Sequence, residues 1–398
     1  MSEFLKAAQA VMPQMVAIRR RLHRHPEQGL HLPQTQQTII DELERLGLEP
    51  KRGTNLSSVT ALIGADRPGR TVILRADMDA LPLTESTGLE FASEIPEAMH
   101  ACGHDTHVAQ LLGAASLLVD AWNADPEALP GPVLLMFQPG EEGYFGARVM
   151  FEEGLLDGLD PVATRGFAIH TSAKYPTGEV DLRPGSLLAS ADNVSVTVRG
   201  SGGHASSPHL AHDPIVVAAE IVLALQTAVT RSVDVFDPAV LTIAHIEGGT
   251  TTNVIPETVR LSGTYRTVSD EGRAAMAPLV QRVVDGICAA HGVSAEVEFQ
   301  PLYPVTVNDE GVFEQVRTIA AALVGDDGVV TMKAPIMGAE DWSYVLQQIP
   351  GVMAFVGARP PDRPLQGFPQ NHSNQVVFDE GCMPVAAALY ANVALDLV

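Results

Sequence analysis

Basic residues are scarce in this 398-residue chain: 25 Lys and Arg face 48 Asp and Glu, a formal net charge of −23. Nucleic-acid binding is driven largely by Lys and Arg displacing counterions, and no basic patch is visible, so a nucleic-acid partner is not expected. The acidity serves solubility and disfavours highly anionic ligands without identifying a substrate. Cysteine is equally sparse. Cys102, Cys288 and Cys382 are too few and too scattered for a disulfide framework, which fits a reducing compartment. No run approaches eighteen consecutive apolar residues, so no membrane partner is expected. The segment Met1-Ser2-Glu3-Phe4-Leu5-Lys6 lacks the basic and apolar regions of a secretory signal, and a cytoplasmic location is the expectation. Internal repeats and low-complexity tracts are also missing.

What is present describes a globular chain, with 46% hydrophobic and 18% charged residues and a length that favours two domains. Helical patterns at Gln14 to His25 and Gln34 to Leu46 precede strand-like runs at Ser58 to Ile63 and Thr71 to Ala76. A helix is expected over Val108 to Trp122, and further strands over Val133 to Phe137 and Arg165 to Ile169. Three of these strands run straight into Asp77-Met78-Asp79, Glu141-Glu142 and His170. Carboxylates and a histidine at successive strand ends, with helices between, predict an α/β sheet whose tips share one pocket. From about Gly185 the order becomes βαββαβ: strands at Asp192 to Arg199, Ala239 to Glu247, Thr258 to Arg266 and Val293 to Gln300, with helices at Asp213 to Thr230 and Asp270 to His291. That is a ferredoxin-like split βαβ pattern, and strand and helix signals of the first type resume after it, at Gly351 to Val356 and Glu380 to Val398. The expected organisation is a catalytic domain in two parts, 1–184 and 301–398, with an inserted domain over 185–300.

The densest chemistry lies in Met99-His100-Ala101-Cys102-Gly103-His104-Asp105-Thr106-His107, followed later by Gln138-Pro139-Gly140-Glu141-Glu142-Gly143. A thiolate, imidazoles and carboxylates together suit zinc or a first-row neighbour. Adjacent glutamates let one side chain bind metal while the other handles protons. Cys102 and His104 at i, i+2 fit a tight loop around Gly103, and His170 and His372 are further candidate ligands. A pair of metals needs donors converging from separate elements around ions roughly 3.5 to 4 Å apart. Asp77 and Asp79 are placed to ligate or to orient a histidine ligand.

Seven segments in order give the chain a family resemblance: Arg20-Arg21-Leu22-His23 with Pro26-Glu27, Ala76 to Pro82, His100 to Asp105, Gln138 to Gly143, Gly202-Gly203-His204-Ala205, Thr252 to Pro256, and Glu340 to Tyr344. Together they resemble the amidohydrolase branch of the carboxypeptidase G and aminoacylase family, which includes hippurate hydrolases and hydrolases of auxin conjugates. The resemblance implies a metal-dependent exopeptidase-like catalytic domain with a central mixed sheet, plus a ferredoxin-like insert acting as lid and dimerisation module. It implies two divalent ions per subunit, zinc or manganese with nickel or cobalt as further candidates. Cys102 would join both ions, with His104, Glu142, His170 and His372 as the remaining ligands. Glu141 would be the base, taking a proton from the attacking water and returning it to the leaving amine, with Asp79 in support. His204 would reach the oxyanion, in its own subunit or across a dimer; Asn253 would donate nearby, and Arg266 would pair with a substrate carboxylate. The sequence departs from the family pattern at Trp342, where phenylalanine is usual, and at Ser373-Asn374, where asparagine-proline is common.

The expected activity is hydrolysis of N-acyl amino acids to a carboxylic acid and a free amino acid, by a homodimer or larger homo-oligomer. Three rivals stand beside it: a dipeptidase or carboxypeptidase with the same machinery, a noncatalytic metal- or small-molecule-binding protein, and thiol catalysis by Cys102.

Overall fold

The computed structural model describes residues 3–397. Its contacts divide the chain into two compact units. The first comprises Met1–Leu187, Val307–Ala334 and Asp341–Val398; the second, Leu188–Thr306 with Pro335–Glu340. The short Pro335–Glu340 segment thus groups with the insert, away from the 301–398 stretch to which the sequence reading gave it.

In the first unit an eight-stranded mixed sheet runs Lys51–Arg52, Val59–Ile63, Val133–Gln138, Val72–Asp77, Arg165–Pro176, Gly351–Arg359, Val180–Leu182, Val329–Thr331. Val72–Asp77 pairs in parallel with both Val133–Gln138 and Arg165–Pro176, so the three strands expected to carry functional residues are neighbours. Two of them are buried at every position, Arg75 and Asp77 included, as strands covered on both faces must be. The helix Glu3–Arg24 buries Met15, Ile18, Arg19, Leu22 and His23, a 3–1–3–1 spacing that forms one helical stripe. It packs with His104–Ala124 and the helix Met383–Asp396, which is apolar nearly all round. From that last helix Tyr390 donates its hydroxyl to Arg75 O at 2.7 Å and accepts from Ile169 N–H at 3.0 Å, joining two central strands.

Two expected elements differ. The helix foreseen from Val108 begins at His104, after Gly103 at φ 89°. The strand expected to end before His170 continues to Pro176, because Gly351–Arg359 pairs with it in parallel beyond that histidine. The helix Glu310–Val324, capped by the Asp309 side chain, was missed altogether.

The second unit is an antiparallel sheet in the order Ala239–Gly248, Thr258–Thr267, Ala191–Arg199, Ser294–Tyr303, with helices Pro214–Ser232 and Asp270–His291. That is the ferredoxin-like order read from the sequence. Pro214–Ser232 is long and apolar enough to cross a membrane by length and composition, which the search for eighteen consecutive apolar residues passed over. Val217, Ala218, Ile221 and Leu225 on one of its faces are buried in this unit's core.

Candidate metal centre

All five expected ligands converge in the first unit. Cys102 lies in the loop just before the helix His104–Ala124. Gly103 turns the chain there in the left-handed region, and a Cβ on it would sit 3.2 Å from the Phe378 ring. His104 therefore opens the helix, where its Nδ1–H donates to Asp79 O at 2.8 Å and frees Nε2. His170 comes from the middle of its strand, with Nδ1 donating to Thr171 O at 2.9 Å. Its Nε2 lies 3.4 Å from Cys102 Sγ, and His372 Nε2 lies 3.3 Å from the same sulfur. Glu142 Oε1 is 3.4 Å from His372 Nε2.

Two donor sets share the sulfur: Cys102, His104 and His170, and Cys102, Glu142 and His372, each with ligand atoms within 4.8 Å of one another. A third set joins His104, Glu141 and Glu142. His104 Nε2 and Glu142 Oε1 are buried without a hydrogen-bond partner, a costly state for a polar atom that a cation would relieve. The soft thiolate, three imidazoles and a carboxylate fit zinc or a similar divalent ion.

Asp79 shapes the glutamate pair. Its carboxylate accepts from the backbone N–H of Glu141 and of Glu142, both at 3.0 Å, just after Gly140 turns at φ 75°. With both amides fixed, the two side chains leave in set directions. Asp77 bonds His107 Nδ1 and accepts from Arg75 Nη1 at 2.6 Å. Burial opposes its charge, but Arg75, His104 and His107 hold the carboxyl well below the usual range. Arg75 also reaches Gln138 at 3.0 Å and Asp341 at 2.9 Å, and Asp341 accepts from Ala147 N–H. This buried frame was not read from the sequence; its signal was a lone arginine inside an apolar strand.

The other histidines of the nine-residue cluster take different places. His107 Nε2 accepts from Thr171 N–H at 2.7 Å, so both its nitrogens are engaged. His100 is buried with neither nitrogen bonded, and burial pushes its pKa down to about 4. Glu142 is pushed up to about 7, chiefly by burial. Burial and the nearby Glu142 push the Cys102 thiol well up, the reverse of an activated thiol nucleophile. Asp105 stands behind the cluster, accepting from Arg19 Nε at 3.1 Å and His23 Nδ1 at 2.8 Å.

In the second unit His204 lies on a two-residue strand paired with Val254–Ile255, which places it beside Asn253. His204 Nδ1 accepts from Ser206 N–H at 3.1 Å. Arg266 stands apart from this pair in its contacts, donating Nη1 to Met337 O at 2.9 Å.

Comparison with known proteins finds relatives that match along nearly the whole chain. Thermostable carboxypeptidase 2 of Saccharolobus solfataricus is 37% identical over 96% of this chain and 94% of its own. The IAA-amino acid hydrolase ILR1-like 2 of Arabidopsis thaliana is 38% identical over 99% of this chain and 87% of its own. The crystal structure of the Bacillus subtilis YXEP protein, described as a dinuclear metal-binding peptidase of the M20 family, superposes with a TM-score of 0.83. It is 32% identical, with 98% of this chain and 99% of that one covered. The profile of peptidase family M20/M25/M40 matches residues 73–396, the span that carries Cys102, Glu141, Glu142, His170 and His372. The chain is a hydrolase of peptidase family M20/M25/M40.

Proposed function

We propose that this protein is a dinuclear metal-dependent amidohydrolase that cleaves N-acyl amino acids to a carboxylic acid and a free amino acid. The observation that carries the reading is Glu141, set beside two donor groups that share Cys102. Metal storage would need the donors alone; a further carboxylate held next to them suits proton transfer.

Cys102, His104, Glu142, His170 and His372 are the assigned ligands of two divalent ions, zinc or manganese. Such cations polarise an amide carbonyl and lower the pKa of water. Glu141 takes a proton from the attacking water and passes it to the leaving amine nitrogen, a shuttle worth about 10²- to 10⁴-fold in rate. Asp79 supports it through the two backbone amides it accepts from. Buried at 7% exposure, Glu141 acts where electrostatic interactions are stronger than in bulk water. In the second unit, His204 and Asn253 are assigned to donate to the substrate's carbonyl oxygen as charge builds on it. Arg266 is assigned to the free carboxylate of the substrate. The favoured substrates are small N-acyl amino acids, in keeping with the amino acid conjugates named for the Arabidopsis relative. The archaeal relative's name keeps a carboxypeptidase as the second reading. A homodimer is the proposed assembly, checked by light scattering.

Glu141→Gln tests the assignment. With hippurate, acetylated amino acids and dipeptides assayed side by side, kcat is expected to fall about 10²- to 10⁴-fold at unchanged metal content. Near-normal turnover by the variant rejects Glu141 as the base, and preferred cleavage of dipeptides moves the protein to the carboxypeptidase reading.

A further inference from the structure

The loop that presents His372 also carries Asn371, whose side-chain amide is used at both ends. Its Nδ2 donates to Cys102 O at 3.1 Å and to Thr171 O at 3.0 Å, while its Oδ1 accepts from Ala173 N–H at 3.0 Å. Three bonds thus connect the segments that present Cys102, His170 and His372. Thr171 O is shared with His170 Nδ1, which leaves the His170 Nε2 as the ring nitrogen facing Cys102 Sγ. One residue on, His372 N–H donates to Ala101 O at 2.8 Å, and the His372 backbone sits at φ 70°. A residue other than glycine stays in that left-handed region when its surroundings over-determine it. Here the peptides on either side of Cys102 do so, one bonded by Asn371 and the other by His372.

We infer that Asn371 is a positioning residue that sets the spread of the two donor groups around Cys102, holding His170 to one side of the sulfur and His372 to the other. This rests on the reading of those three residues as metal ligands. The task calls for two N–H donors and one acceptor on a short stem, which among the side chains only asparagine supplies. Aspartate has the same shape and keeps the bond from Ala173. Its second oxygen, however, would face the carbonyl oxygens of Cys102 and Thr171, replacing two attractions with two repulsions. Alanine removes all three bonds without adding repulsion.

The full-length wild type, Asn371→Asp and Asn371→Ala are stripped of metal and titrated with Mn²⁺. Binding is followed by equilibrium dialysis, and the spin-coupled manganese pair by electron paramagnetic resonance. The wild type is expected to bind two Mn²⁺ with a coupled signal. Both variants are expected to keep the first ion within about threefold, to bind the second at least about tenfold more weakly, and to lose the coupled signal, with Asn371→Asp the more affected. Melting temperatures of the metal-free variants should fall by no more than about 10 °C, as the loss of three hydrogen bonds allows, with unfolding still cooperative. Variants that bind two coupled Mn²⁺ as the wild type does overturn the inference. So do variants whose metal-free forms unfold or lose both ions alike, since the residue would then be holding the fold. A wild type that binds fewer than two Mn²⁺ overturns the dinuclear reading itself, and the inference with it.

Discussion

His23 is held charged in the interior of the first unit, and removing that charge gives a stability change whose size depends on pH. Burial opposes the imidazolium, but Asp105 at 2.8 Å, joined by Glu85 at 3.2 Å, raises its pKa from 6.5 to about 9. A folded-state pKa above the unfolded one adds stability that is fully present below about pH 6.5 and is lost as pH rises through about 9. The shift corresponds to about 3 kcal/mol, taking 1.36 kcal/mol for each pH unit. His23→Gln removes the charge at similar volume. The metal-free variant should therefore be less stable than wild type by about 4 kcal/mol near pH 6, and by only about 1 kcal/mol near pH 10, where the remainder reflects altered packing and hydrogen bonding. Both tryptophans, Trp122 and Trp342, belong to the first unit, so urea unfolding followed by tryptophan fluorescence reads the unit that contains His23. A difference between the two proteins that is constant with pH, or that grows towards alkaline pH, refutes the account of His23 as a buried cation.

Metal removal separates the proposed mechanism from thiol catalysis: exhaustive chelation should abolish hydrolysis and added zinc or manganese should restore it, whereas activity that resists chelator but yields to alkylation would assign the chemistry to Cys102. In the second unit Asp192 is 1% exposed and accepts from Arg273 at 2.9 and 2.6 Å, so Asp192→Ala removes two charge-assisted hydrogen bonds and should destabilise that unit by about 1.5 to 3 kcal/mol. Hydrogen exchange should then quicken in Ala191–Arg199 and its neighbouring strands while the first unit keeps its protection; unchanged protection in both would remove the ion pair from the account.

The parts of the molecule legible in the sequence are those where one residue's chemistry repeats or clusters locally. Val194, Val196 and Val198 alternate with more exposed residues, and that period of two exposes the insert's first strand at once. The candidate ligand cluster stood out in the sequence because Cys102 and His104 stand two apart. The frame behind it did not, because Arg75 meets Gln138 and Asp341 across 63 and 266 residues of chain. Apolar periodicity also misplaced the start of the ligand-bearing helix, since His104, Asp105, Thr106 and His107 are polar yet fully buried. Arg19 and His23 hid in a similar way, occupying positions of the first helix's buried stripe that a hydrophobic pattern assigns to leucine or methionine. Asn371 gives no local signal at all, because its three partners come from segments about 200 and 270 residues earlier.

The Tyr390 hydroxyl ties together parts of the chain that are far apart in sequence. It bridges the main chain at Arg75 and Ile169, the strands that lead to Asp77 and to His170, from a helix that spans Met383–Asp396. A nascent chain emerging from the ribosome can close the insert's four-stranded sheet once Tyr303 is out, because all four strands lie between Ala191 and that residue. The two strands beside the candidate ligands are bridged by a hydroxyl 315 and 221 residues further along the chain, so their joining is a contact of far longer sequence separation than any pairing within the insert's sheet.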